Sequence, residues 1–219
     1  RCVMSVSLRC YSTSLGCPKN RVDTERLLGS LGVALVPVES PDEAELVFIN
    51  TCAFIQPATE ESVRTIAQAI ADIEELPKRP LLAVAGCLVG RYHAEDLAPE
   101  LPEVDLWLDN SDLEAWPAML ARKLGLPEPT VPGRILSTGP SYAWLKISDG
   151  CRHACSFCAI PNIRGGHRSH CKDMIVREAR ALLDQGVKEL NLVAQDLTEW
   201  GCDLDGKQDL RTLLDGLLP

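Results

Sequence analysis

The chain has 219 residues, 46% of them hydrophobic, and its 31 acidic side chains against 22 basic ones give a formal net charge of −9. That length can bury a sizeable core, as one large domain or two modest ones, and the acidic balance argues against broad nucleic-acid binding. No apolar run approaches the ~18 residues of a membrane span, and ten cysteines in so long a chain point to metal or redox chemistry in a reducing, cytoplasmic setting rather than to a disulfide framework.

From the amino terminus, "RCVMSVSLRC" lacks an apolar core long enough for a signal peptide. "YSTSLGC" reads as a buried strand that stops at Gly16-Cys17-Pro18. "ELVFINTC" and "LLAVAGC" end in Cys52 and Cys87, each 35 residues beyond the cysteine before it, which is one β/α unit per cysteine. Their near-continuous apolar character suits parallel strands covered on both faces. Amphipathic helices are predicted over about 23–31 and 59–76, the second presenting Val63, Ile66, Ala67 and Ile70 on one face, and "VDLWLDN" with a helix over about 112–124 forms a fourth unit. The Pro- and Gly-rich "GLPEPTVPGRILSTGP" then marks a linker over 125–141, dividing a first domain, 1–124, from a second, 142–219. Beyond it come the strand "YAWLKIS", a helix over about 172–185, the strand "ELNLVA" and a last helix over about 210–218.

In an open parallel sheet, ligands collect beyond the carboxyl ends of the strands, so Cys17, Cys52 and Cys87 can converge on one site; three evenly spaced core thiols are the alternative. Cys10 in "SVSLRC" mimics Cys17 but lacks its flanking Gly and Pro-Lys-Asn, although it is close enough to scavenge a metal. Cys2, Cys10, Cys171 and Cys202 are read as bystanders. "CRHACSFC" sets Cys151, Cys155 and Cys158 in C-x3-C-x2-C spacing directly after a strand. Three thiolates on one tight loop can hold three corners of a 4Fe-4S cubane and leave the fourth iron open. A zinc site completed by His153, His167 or His170 is the competing reading. Asp23 and Glu25 are expected to complement a helix dipole in its first turn, and Lys19 and Asn20 are open to reading as a solvated loop.

"CRHACSFC", with an aromatic residue before its third cysteine, resembles the signature of radical S-adenosylmethionine enzymes. Together with "SLGCPKNRVDTE", "INTCAFIQPATEES", "AVAGCL", "ISDGCRHACSFCAIPNIRGGHRS" and "AQDLTEWG" in that order, the chain resembles the radical S-adenosylmethionine methylthiotransferases. "GCPKN" resembles the branch that modifies an aspartate of a small-subunit ribosomal protein. The resemblance implies an α/β fold, a parallel-sheet methylthiotransferase domain followed by the first two β/α units of a partial radical SAM barrel, within which the chain looks truncated.

The same resemblance implies two 4Fe-4S clusters, one on Cys17, Cys52 and Cys87 and one on Cys151, Cys155 and Cys158, with S-adenosyl-L-methionine at the open iron of the second. The implied reaction inserts a methylthio group at an unactivated carbon, the β-carbon of an aspartate in a basic ribosomal protein, with an electron donor such as flavodoxin or ferredoxin. A tRNA adenosine methylthiotransferase and an inactive, truncated iron–sulfur or zinc-binding fragment are the rival readings. Phe157 would lie near the adenine or else pack in the core; Gln195 and Asp196, at a strand end, would meet the cosubstrate or target or else cap the next turn. Lys19, Asn20, Arg164 and Arg168 match the family pattern, whereas His170 and Cys171 stand where the family usually has arginine and proline.

Overall fold

Why one strand of this chain is apolar at nearly every position becomes plain from its place at the centre of a parallel sheet. The computed structural model describes residues 7–206 and 208–218, so Cys2 lies outside the described residues. The chain divides between Ile135 and Leu136 into two compact units, each α/β. In the first unit the order is β1 (Ser7–Ser14), α1 (Pro18–Ser30), β2 (Ala34–Pro37), β3 (Leu46–Thr51), α2 (Gln56–Ile73), β4 (Leu81–Gly86), α3 (Cys87–Tyr92), α4 (Ala94–Leu97), β5 (Leu106–Asp109) and α5 (Trp116–Leu124). The sheet runs β2-β1-β3-β4-β5, with every pairing parallel. Leu46, Val47, Phe48 and Ile49 of the central β3 are wholly buried, as a strand covered on both faces requires. The sequence reading did not foresee β2, a mostly exposed four-residue strand at the sheet edge, where Pro37 costs no central ladder bond.

Three helices depart from expectation for identifiable reasons. α1 begins at Pro18 rather than near 23, because Cys17 is the N-cap and proline at the first helical position has its φ preset and no N–H to satisfy. Lys19 and Asn20 are therefore helical, not loop, and Asp23 and Glu25 lie beyond the first turn, buried at 5% and 2% exposure. Glu25 accepts from Arg134 Nε at 2.9 Å and Nη2 at 2.6 Å. α2 buries Thr59, Ser62, Ile66, Ala69 and Ile73, while Val63 stays 42% exposed. Its phase is turned from the apolar face because Ser62 Oγ donates to the Cys52 carbonyl at 2.7 Å and accepts from the Cys52 N–H at 3.0 Å. α5 starts at Trp116, since Asn110–Asp112 instead forms a 3-10 turn capped by Asp109, whose Oδ1 accepts from Ser111 N at 2.7 Å. Part of the Pro- and Gly-rich segment is pinned within this unit. Gly133 N donates to Ser30 Oγ at 3.1 Å, Ile135 N donates to the Glu25 carbonyl at 3.1 Å, and a Cβ at Gly29 would sit 2.5 Å from the Arg134 backbone.

In the second unit β6 (Tyr142–Lys146), β7 (Ser148–Asp149), α6 (Ile160–Arg164), β8 (Arg168–Ser169), α7 (Lys172–Asp184), β9 (Glu189–Val193) and α8 (Leu210–Leu217) follow in order. β6 and β9 pair in parallel across α7, with Leu145, Ile147, Ile175, Leu182, Trp200 and Leu213 in the core. The predicted strand "YAWLKIS" is split. Ser148 and Asp149 leave β6 to pair antiparallel with Ser169 and Arg168, which turns the chain just before Cys151. Among the described residues no helix is long and apolar enough to cross a membrane.

Candidate metal centres

The first three cysteines stand at the ends of neighbouring strands. Thr51 pairs with Gly86 across β3 and β4, so Cys52 and Cys87 follow in one row; Ser14 of β1 pairs with Asn50, which brings Cys17 to the same edge. The three cysteines therefore follow the ends of three adjacent strands, β1, β3 and β4, with neighbouring strands about 4.8 Å apart. Two glycines make this approach possible. At Gly16, with φ +82°, a Cβ would lie 2.6 Å from Cys52 Cβ and 2.7 Å from its Sγ. At Gly86, with φ +100°, it would lie 2.2 Å from Asn50 Oδ1 and 2.5 Å from the Thr51 carbonyl. Both positions need a residue without a side chain.

Buried polar groups tie the strand ends together. Asn20, wholly buried, donates from Nδ2 to the carbonyls of Leu15 at 2.9 Å and Thr51 at 2.8 Å, and its Oδ1 lies 3.8 Å from Cys87 Sγ. Asn50 Nδ2 donates to the Asn20 carbonyl at 2.9 Å. Thr51 Oγ1 donates to the Ala85 carbonyl at 2.6 Å and accepts from Leu88 N at 3.1 Å, while Arg91 Nη1 holds the Ala53 carbonyl at 2.7 Å. Asn20 thus organises the edge from within a helix. Asn110, which the sequence reading missed, lies beside Cys87 with its Nδ2 3.8 Å from the sulfur. Its signal was the strand-end position in "LWLDN", the counterpart of the cysteine positions in the preceding units.

The second set occupies an open loop on a charged, buried base. Cys155 is exposed, Cys151 and Cys158 are half-buried, and Phe157 is 88% exposed, which removes it from the core. Cys151 N donates to the Gly165 carbonyl at 3.2 Å, and a Cβ at Gly150, φ +64°, would lie 2.0 Å from the Gly166 carbonyl. Beneath the loop, Asp149 meets Lys146 Nζ at 2.7 Å and Arg164 Nη1 at 2.8 Å, all three side chains being at most 4% exposed, with His170 Nε2 at 3.7 Å. Burial alone would push the Asp149 carboxyl up, but Lys146, His170 and Arg164 together outweigh it and hold it well below the usual carboxylate range. Two loop side chains reach the turn after β9: Arg152 pairs with Glu199, and His153 Nε2 lies 3.2 Å from Asp196 Oδ2. Asp196 Oδ1 also accepts from Thr198 Oγ1 at 2.6 Å and Thr198 N at 3.0 Å, a turn cap that pulls its carboxyl below the ordinary range. Gln195, half-buried, precedes it just past the end of β9.

Among the described residues, three or more ligand atoms come within 4.8 Å of one another only at His167, Cys202 and Asp203 and at His153, Asp196 and Glu199. Neither cysteine triplet is such a group; His153 faces Asp196, His167 faces Ser169 and Asp203, and His170 faces the Lys146 carbonyl. A cubane offers a separate iron to each of three thiolates, whereas a structural zinc gathers four ligands on one atom. Asn50 and Asn110 each hold a buried Oδ1 without a hydrogen-bond partner among the described residues, beside the first triplet. Cys10, by contrast, is buried inside β1, where burial pushes its thiol up to about 12. Cys171 and Cys202 are exposed, Cys202 next to His167 and Asp203.

Residues 9–109 match a family described as "Uncharacterized protein family UPF0004". The chain is 68% identical over 209 residues, 95% of its length, to the ribosomal protein uS12 methylthiotransferase RimO of Nitratidesulfovibrio vulgaris strain DP4, and 58% identical over 98% of its length to RimO of Lawsonia intracellularis. In sequence the chain is similar to these RimO proteins over nearly its whole length. It spans about half the length of the RimO proteins it matches, 49% in both cases. Among solved structures it is similar to the radical S-adenosylmethionine methyltransferase TsrM from Kitasatospora setae, with cobalamin and a [4Fe-4S] cluster bound. The TM-score is 0.54 and the identity 12%, over 89% of this chain and 50% of that one, a likeness of fold.

Proposed function

We propose that this chain carries both cluster-binding sites of a methylthiotransferase that inserts a methylthio group at the β-carbon of an aspartate in ribosomal protein uS12, by radical S-adenosylmethionine chemistry. The observation that supports it best is the row of Cys17, Cys52 and Cys87 at three neighbouring strand ends, in a chain 68% identical to a uS12 methylthiotransferase. Those three residues would hold one 4Fe-4S cluster, and Cys151, Cys155 and Cys158 the other. When bound, such groups supply one-electron chemistry and an open iron for S-adenosylmethionine.

The chain's own residues do the positioning. Buried Lys146, Asp149 and Arg164 fix the point from which the Cys151–Cys158 loop departs, and Arg152 and His153 tie that loop to Glu199 and Asp196. Phe157 offers an exposed ring for an adenine, and Gln195 and Asp196 stand at the strand end where parallel α/β sites take up ligands. In the first unit, the glycine turns and asparagine bonds hold the strand ends in register. The substrate is a basic ribosomal protein, and reduction comes from a partner such as a flavodoxin or ferredoxin.

Anaerobic reconstitution of the full chain tests the cluster reading. Iron and sulfide counts should give two clusters, one lost on changing Cys17, Cys52 and Cys87 together to alanine, the other on changing Cys151, Cys155 and Cys158. Stoichiometric zinc without sulfide overturns the reading. Mass spectrometry of uS12 and tRNA from cells lacking the gene separates substrates: methylthio groups lost from tRNA with uS12 unchanged would transfer the activity to tRNA.

A further inference from the structure

Asn110 occupies on β5 the row that Cys87 occupies on β4. Gly86 pairs with Asp109, so the next residues of the two strands are Cys87 and Asn110, and Cys52 extends the same row on β3. Asn110 is 2% exposed, its Nδ2 lies 3.8 Å from Cys87 Sγ, and its Oδ1 has no hydrogen-bond partner among the described residues. The turn around it is held by other groups: Trp116 Nε1 donates to the Asp109 carbonyl at 2.7 Å, and Ser111 N donates to Asp109 Oδ1 at 2.7 Å. The loop therefore does not need a carboxamide for its own shape, and a buried polar side chain lacking a full set of partners calls for a local reason.

That reason lies in the two carboxamides flanking Cys87. Asn20 commits its Nδ2 to Leu15 and Thr51, so it shows Cys87 an oxygen, an acceptor matched to a thiol S–H. Asn110 shows the sulfur an N–H. A thiolate bound to iron has no proton to give and has lone pairs to satisfy, so Asn110 is the neighbour suited to the ligating form.

We propose that Asn110 is a positioning residue of the first centre, donating an Nδ2–H hydrogen bond to the Cys87 thiolate and thereby raising the reduction potential of the cluster held there. It rests on the cluster reading above. Hydrogen bonds to ligand sulfurs favour the more negative, reduced state of an iron–sulfur group. The test is a redox titration followed by electron paramagnetic resonance on the full chain, with Cys151, Cys155 and Cys158 changed to alanine so that one cluster reports. Asn110→Ala and the equal-volume Asn110→Asp should keep iron and sulfide counts but shift the potential downward, further in Asn110→Asp because it adds charge. An unchanged potential in Asn110→Ala with the cluster present overturns the proposal. So does loss of the cluster from both variants while circular dichroism shows them folded, since that marks a purely structural role. A parent chain that binds no cluster at Cys17, Cys52 and Cys87 brings down the cluster reading itself, a distinguishable result.

Discussion

The two cysteine triplets are built by opposite means. Cys17, Cys52 and Cys87 are far apart in sequence, and what aligns them is sheet register, two glycines that admit no side chain and the buried Asn20. Cys151, Cys155 and Cys158 lie within eight residues on a partly exposed loop without regular structure, above a buried salt-bridge network. Long-range packing makes the first site and local spacing makes the second. Damage to a core should therefore erase the first site along with its sheet, whereas the second should fail only when its charged base or its thiols are changed.

The sharpest way to break this contrast is at that base. Asp149→Asn keeps the shape but leaves the buried Lys146 and Arg164 cations facing a neutral amide. Removing one partner of a buried ion pair costs about 3–5 kcal/mol, and the loss should fall on the second unit. Trp144 and Trp200 report that unit in urea unfolding, while Trp107 and Trp116 report the first. A variant within about 0.5 kcal/mol of the parent, the range of ordinary surface changes, refutes the role given to the base. Next in size is Gly86→Ala. At φ +100° and ψ −156° the new Cβ would meet Asn50 Oδ1 and the Thr51 carbonyl, and strain in this glycine-only region costs about 3 kcal/mol. The first unit should lose that stability and its iron, with the second cluster retained on reconstitution. Loss of both clusters together would show that the two sites do not have separate supports.

The same contrast explains what was legible in the sequence. The C-x3-C-x2-C loop is a local pattern and needs no knowledge of the fold. The first triplet was readable because each cysteine closes an apolar strand and the interval repeats, so topology could be inferred from periodicity. What escaped were residues whose role depends on geometry beyond their own element. Ser62 sets the phase of α2 by bonding Cys52, so the buried face is partly polar and hydrophobic spacing pointed instead at Val63 and Ala67. Glu25 looked like a dipole partner but pairs with Arg134, 109 residues away. Asn20 resembled a loop residue because the Pro-Lys-Asn sequence ends the strand, yet the same proline starts the helix that carries Asn20 into the site. β2 was hidden by its exposure at the edge.

The smallest expected effect is the one that best sharpens the comparison. Phe48 and Phe157 are both aromatic residues near cysteine-bearing segments, yet Phe48 is fully buried in β3 and Phe157 is 88% exposed on the cysteine loop. A side chain with that exposure gives up little apolar area on truncation, so Phe157→Ala should change unfolding stability by less than about 0.5 kcal/mol. If the ring stacks on the adenine of S-adenosylmethionine, the same variant, once reconstituted, should bind it about 0.5–1.5 kcal/mol more weakly by calorimetry, the range for aromatic pairs. A stability loss above about 1 kcal/mol would instead make Phe157 a packing residue. The second loop would then owe its shape to apolar burial, as the first site does, and the two would no longer be opposite designs.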